Sequence, residues 1–147
     1  MNGRVEYLLD TNVLSETRKK QANSGVMEFL RSTDGAALYI SVLTLGELRK
    51  GVVAKRRDDA EIASRLSAWV EGLEVSFADR IVGIDAASAR LWGEWSGERP
   101  RTVIDTLLAA TAVAKELTLV TRNIRDVQDI GAKLLNPWTD YLNPNDI

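Results

Sequence analysis

The chain has 147 residues, 45% hydrophobic and 27% charged, with 19 basic and 21 acidic side chains for a net charge of −2. A chain of this size and mix can build one globular domain with a core of its own. It contains no Cys and no His, which excludes disulfides, thiolate nucleophiles, Cys or His metal sites and the Ser–His–Asp and Cys–His catalytic arrangements. Chemistry here falls to carboxylates, and oxygen-only donor sets favour hard cations such as Mg²⁺ or Mn²⁺. The charge balance excludes a polybasic tail but not a local basic groove. No apolar run reaches the ~18 residues of a membrane span. The stretch behind the first six residues is too short for a signal peptide. The expectation is a cytoplasmic protein with no membrane partner.

Residues 5–9 form a short apolar run closed by Asp10 and predict a buried strand. Asp10-Thr11-Asn12 opens a helix that reaches about residue 20. Asn23-Ser24-Gly25 breaks the chain before a short helix over 26–30. Residues 37–41 predict the second strand, and 43–57 a helix. Asp58-Asp59 caps the next helix, in which Ile62, Leu66, Trp69, Val70, Leu73 and Phe77 make one apolar stripe at a 3.6-residue period. Residues 80–84 are strand-like, and Asp85 caps a helix carrying Leu91, Trp92 and Trp95. The two tryptophans, three apart, are read as core rather than interface. After a loop at 97–100, residues 102–115 are apolar nearly all round and predict a buried helix. Residues 117–121 predict a strong strand and 132–135 a weak last one, closed by Asn136-Pro137. The expected organisation is one domain over 1–142 and a polar tail over 143–147.

Short apolar strands separated by helices indicate a parallel sheet covered on both faces. Such sheets bind ligands beyond the carboxyl ends of their strands. Asp10 ends the first strand at that edge. Glu47 lies within two helical turns of the second. Asp105 sits in the first turn of the buried helix, between Ile104 and Leu107-Leu108. Asn123 follows the fourth strand, with Asp126 three residues on. Singly, each has an ordinary use: Asp10 as a helix cap, Glu47 as a solvated helix residue, Asp105 as a complement to the helix dipole, Asn123 as a turn residue. Together, three carboxylates and an amide converge with no Lys or Arg evident inside the short motifs. Charges held that close repel unless a divalent cation sits among them.

These residues carry a resemblance. Leu8-Leu9-Asp10-Thr11-Asn12-Val13-Leu14-Ser15-Glu16 resembles the opening motif of PIN-domain ribonucleases, specifically the VapC toxins of toxin–antitoxin pairs. Ser41-Val42-Leu43-Thr44-Leu45-Gly46-Glu47-Leu48 is similar to their second motif, and Thr102-Val103-Ile104-Asp105-Thr106-Leu107-Leu108-Ala109-Ala110 to the third. Leu119-Val120-Thr121-Arg122-Asn123 is similar to the fourth, and Asn136-Pro137-Trp138 to the ending of a FitB-like subgroup. The resemblance implies a three-layer α/β/α fold with a central parallel sheet of four or five strands. It also implies Mg²⁺- or Mn²⁺-dependent cleavage of RNA, a cognate antitoxin and a homodimer. It maps metal-binding and catalytic roles onto Asp10, Glu47 and Asp105. The fourth position, often acidic in the family, is Asn123, which contributes a carbonyl oxygen and no charge; Asp126 is an alternative ligand there. Thr11 and Thr121 supply hydroxyls beside these groups.

The expected reaction is direct hydrolysis: Asp10 and Asp105 hold the principal ion, Glu47 shares it or orients the water, and Asn123 completes the shell. The products would carry 5′-phosphate and 3′-hydroxyl ends. Among the basic clusters, Arg49 and Arg122 neighbour the acids and are the candidates for phosphate contact, whereas Lys55-Arg56-Arg57 reads as solvated surface. Two rivals stand beside this reading: a catalytically weak RNA-binding or adaptor module, which would explain the missing fourth acid, and a nuclease acting on DNA.

Overall fold

In the computed structural model, which describes residues 4–141, the order is β1 (Tyr7–Leu9), α1 (Thr11–Glu16), α2 (Ser24–Ser32), β2 (Leu38–Ser41), α3 (Val42–Arg56), α4 (Ala60–Ser76), β3 (Ile81–Val82), α5 (Ala86–Glu98), α6 (Val103–Ala114), β4 (Thr118–Val120), β5 (Leu134–Leu135) and α7 (Pro137–Asp140). The predicted tail over 143–147 lies outside the described residues. The five strands are parallel, in the order β3-β2-β1-β4-β5. From β1 the chain steps outward through β2 to β3, then returns to add β4 and β5 on the other side. The strand order therefore reverses between β1 and β4, where a parallel sheet opens a crevice at its carboxyl edge.

Alternation along the strands divides the core. Leu9, Ile40 and Val120 face Val13, Leu14, Val26, Phe29, Leu48, Val52 and Val70, which come from α1 to α4. Leu8 and Leu119 face Leu108, Ala109 and Ala112 of α6. Each such fully buried Leu, Val or Phe contributes about 1.5–3 kcal/mol over leaving it in water. A short parallel sheet is stable only with both faces covered. The result is the three-layer α/β/α arrangement that the sequence predicts. No described helix is long and apolar enough to cross a membrane.

The polar residues that punctuate the sequence cap the helices. Asp10, Asn23, Asp59 and Asp85 each accept from backbone N–H groups at the starts of α1, α2, α4 and α5. Asn23 starts α2 earlier than its apolar run suggests, and α1 stops at Glu16 rather than near residue 20. β3 and β5 shrink to two residues each. On α4 the buried stripe runs through Ala63 and Val70, with Leu66, Trp69, Leu73 and Phe77 against the core, while Ile62 is exposed. The stripe is thus one residue round from its predicted start. Trp95 packs into the core beneath α6, as expected.

The C-terminal segment closes over α2. Tyr7 meets Phe29 and Phe29 meets Tyr141 edge to face, with centroids 5.0 and 5.3 Å apart. Gly25 makes the approach possible: a Cβ there would lie 2.2 Å from the Pro137 carbonyl oxygen and 2.4 Å from that of Tyr141. Both obstacles are backbone, so Gly25→Ala has to push α7 away. We expect a loss of about 1–3 kcal/mol in urea unfolding, whereas Gly35→Ala, with open space around it, should change stability little.

Candidate active site

The carboxyl edge is built from three strand ends and one helix start. Asp10 follows β1, and its backbone N–H continues the ladder to the Val120 carbonyl at 2.9 Å. The side chain is buried, 7% exposed. Its Oδ1 accepts from the Thr11 N–H at 2.7 Å, so it caps α1 as an ordinary Asp would. Its Oδ2 accepts from the Thr121 hydroxyl, also at 2.7 Å. Thr121 follows β4, the strand beside β1, so the link across 111 residues of chain is a direct product of the strand order.

Glu47 reaches the same place from the second turn of α3. Its Oε1 accepts from the Thr11 hydroxyl at 2.6 Å, and that hydroxyl lies 3.3 Å from the buried Thr44 hydroxyl. Asp105 comes from the first turn of α6, where its Oδ2 accepts from Thr102 at 3.2 Å and from the Asn123 amide at 3.0 Å. The same amide donates to Asp126 Oδ2 at 2.8 Å. Asp10, Asp105, Thr121 and Asn123 line one tight crevice, backed by Leu108, Leu119 and Val127.

The predicted residues Asp10, Glu47, Asp105, Asn123 and Asp126 therefore all lie at one edge, joined by neutral donors. Burial pushes the Asp10 carboxyl above its ordinary range; the hydrogen bonds from Thr121 and Thr11 pull it back, and the charges of Asp105 and Glu47 push it up again. None of the ion pairs among the described residues involves any of these acids. Nor do three of the described acids stand close enough together to grip an ion in this arrangement. Thr11 and Asn123 hold Glu47 and Asp105 instead. The donor set is all oxygen, and its excess of negative charge is uncompensated by protein. Both properties fit a hard dication such as Mg²⁺ or Mn²⁺.

Asn123 presents its NH₂ group, not its carbonyl, to Asp105 and Asp126, because two acceptors require a donor between them. Arg122 points the other way, with its guanidinium 5.3 Å from the centre of the Trp138 ring and its charge acting on Glu16 of α1. Arg49 turns away from the acids, binding Ser67 Oγ at 2.9 Å and approaching Glu74 at 4.0 Å, both on α4. Two residues along a helix is about 200° of rotation, so Arg49 cannot share the face of Glu47. It joins α3 to α4 rather than serving the edge. The sequence reading did not single out Thr44 and Thr102. An exposed-looking Thr in a helix start carries no signal until the tertiary contact exists.

The fold and site define a three-layer α/β domain with an acid-lined carboxyl edge. The family model described as "PIN domain" matches residues 7–133, and the chain belongs to the PIN domain family. It is 30% identical over 141 residues to the VapC ribonuclease Y4jK of Sinorhizobium fredii, covering 89% of this chain and 96% of that one. It is 31% identical over 140 residues to the toxin FitB of Neisseria gonorrhoeae, covering 90% and 99%. The crystal structure of FitAcB from Neisseria gonorrhoeae superposes with a TM-score of 0.82 at 29% identity, covering 90% of this chain and 99% of that chain.

The raised Asp10 pKa has a sign that stability reports. The proton is held more tightly in the folded state, so the contribution is most favourable below the unfolded value of about 4 and is lost as pH rises through the folded value. Asp10→Asn should therefore melt higher than wild type in chelator at pH 7 and decline less from about pH 4 to 7. Thermal melts across that range check this. A variant that melts lower at pH 7 would mean that the two hydrogen bonds outweigh the charge.

Proposed function

We propose that this chain is the toxin of a type II toxin–antitoxin pair, acting as a divalent-metal-dependent endoribonuclease. The carrying observation is the buried Asp10 carboxylate, with Glu47 and Asp105 as like-charged neighbours and no basic partner. An edge arranged that way is costly for a binding module and useful to a metal-dependent hydrolase. The likeness to a VapC ribonuclease and to the FitB toxin supports the same reading.

Asp10 and Asp105 would hold the principal ion, with Glu47 beside it and, in the fourth position, Asp126 or an Asn123 amide turned to present its carbonyl oxygen. A bound Mg²⁺ or Mn²⁺ neutralises these acids, polarises a phosphoryl oxygen and makes water a better nucleophile at neutral pH. The chain's own part is positional. Thr121 and the Thr11 N–H fix both oxygens of Asp10. The Thr11 hydroxyl holds Glu47 against the same edge, where its free oxygen can accept a proton from an attacking water. Asn123 spaces Asp105 from Asp126. Arg122, exposed and steadied on Trp138, offers a phosphate contact on the α7 side. In-line attack then breaks the P–O3′ bond and leaves 5′-phosphate and 3′-hydroxyl ends. RNA cleavage of this kind belongs in the cytoplasm, with a cognate antitoxin and a homodimer as the assembly.

The neutral Asn123 favours a second reading, a weak nuclease that mainly binds RNA. Labelled RNA and matched DNA, incubated with Mg²⁺ or Mn²⁺ and then with excess EDTA, separate the cases. The proposal expects metal-dependent cutting of RNA with 5′-phosphate ends. Cyclic phosphate ends, or undiminished activity in EDTA, would refute it. Asp105→Ala should lower cleavage by more than about a hundredfold with an unchanged melting profile, and Thr121→Val by about ten- to a hundredfold.

A further inference from the structure

We propose that the cavity bounded by Arg99, Pro100, Arg101, Thr102 and Asp126 is a phosphate subsite, which takes the RNA backbone beside the scissile linkage. It deepens the nuclease reading above and rests on it. The cavity measures about 330 Å³ and shares its wall with the acid edge. Thr102 bonds Asp105 at 3.2 Å, and Asp126 accepts from Asn123 at 2.8 Å. Thr102 and Asp126 therefore tie the wall of this cavity to Asp105 and Asn123 at the acid edge.

Its charge is prearranged. The Arg101 side chain is only 4% exposed; its Nε donates to the Trp95 carbonyl at 2.9 Å and its two terminal nitrogens each meet Asp129 at 3.1 Å. Arg99 also reaches Asp129, through Nε at 3.2 Å and Nη2 at 3.0 Å, but is half exposed. One carboxylate thus serves two guanidinium groups, which leaves a surplus positive charge. Glu98 lies 3.9 Å from Arg101 and points largely into solvent, so it offsets little of that surplus. Asp126 on the far wall balances that surplus, and the Asn123 amide bonds one of its oxygens without neutralising it, so the exposed Arg99 donors rather than a net positive charge are what the cavity offers a phosphate.

Thr102, just before α6, completes the lining. It makes no side-chain cap, and its hydroxyl donates to Asp105.

The plain alternative is that Asp129 merely staples the 99–101 loop. Arg101 already does that, buried and bidentate. A second, half-exposed arginine on the same carboxylate adds little stability, and its Nη1, held only by the Pro100 carbonyl at 3.4 Å, can turn to a phosphate. A phosphodiester fits better than an acidic peptide because the cavity adjoins the reacting acids.

The test is the binding of a short fluorescent single-stranded RNA, by anisotropy across a salt series, to the full chain carrying Asp105→Asn so that nothing is cut. Adding Arg99→Ala should weaken binding about tenfold and flatten the log K against log salt slope by about 0.7, the loss of one phosphate contact. Arg99→Lys should recover part of the affinity. Arg65→Ala, on the far α4 surface where Arg65 pairs with Glu61, should bind as its parent does, and all variants should melt alike. Binding by Arg99→Ala equal to that of the parent would overturn the subsite alone. A parent that binds no RNA would overturn the nuclease reading and the subsite with it. Undisturbed RNA binding with weakened capture of an acidic peptide would assign the cavity to a protein partner instead.

Discussion

Like charge gathered where protein supplies no counter-charge is the constraint on which the structure turns. Asp10, Glu47 and Asp105 come from three different elements, and the reversal of strand order between β1 and β4 brings them to one edge. A buried carboxylate beside two others works against folding. The chain offsets this with neutral donors: three threonine hydroxyls, one backbone N–H and one amide. Neutral donors orient the oxygens without cancelling their charge. A lysine in their place would be a better stabiliser and would leave no attraction for a dication. The preference for threonine over lysine is what makes the edge a candidate for catalysis rather than a structural ion-pair cluster.

Asn123 fits the same logic. A fourth acid there would stand next to both Asp105 and Asp126, with more repulsion in the ion-free protein. The amide replaces that repulsion with two hydrogen bonds and lowers the negative charge available to an ion. Positive charge is kept to the flanks: Arg122 on Trp138 toward α7, and the Arg99–Arg101 pair around Asp129 toward α6. Those two arginines hold the Asp129 carboxyl down to about 2, whereas the central acids have no such partner. The division suits a polyanion whose backbone is gripped on either side of a metal-dependent centre.

Much of this was legible from residue order alone, where local chemistry decides. Asp10, Asn23, Asp59 and Asp85 announce helix starts because a short acceptor before an apolar period has few other uses. Leu8-Leu9 and Leu119-Val120 announce strands buried on both faces. The acids at the edge were legible because parallel sheets place their ligands at carboxyl ends and Asp10, Glu47, Asp105 and Asn123 follow strands or start helices there. What escaped depends on rotation and on distant partners. Arg49 looks like a site residue by position, yet lies some 200° around the helix from Glu47. Ile62 begins the stripe on α4 by hydropathy, but Ala63 is the residue that fits beneath. The links from Thr102 to Asp105 and from Arg99 and Arg101 to Asp129 exist only once α6 and the 99–101 loop are placed. Nothing in a run of sequence reports that α6 leaves its own cap unmade.

The most direct measurement is a Mn²⁺ titration of the purified chain followed by electron paramagnetic resonance, which separates free from bound ion without requiring any substrate. If the gathered carboxylates are a dication site, Mn²⁺ is taken up at a saturable position, Mg²⁺ competes for it, and Asp105→Asn weakens it while the fold persists. Mn²⁺ that stays free at millimolar concentration, or binds equally well to Asp105→Asn, would contradict the account at its root.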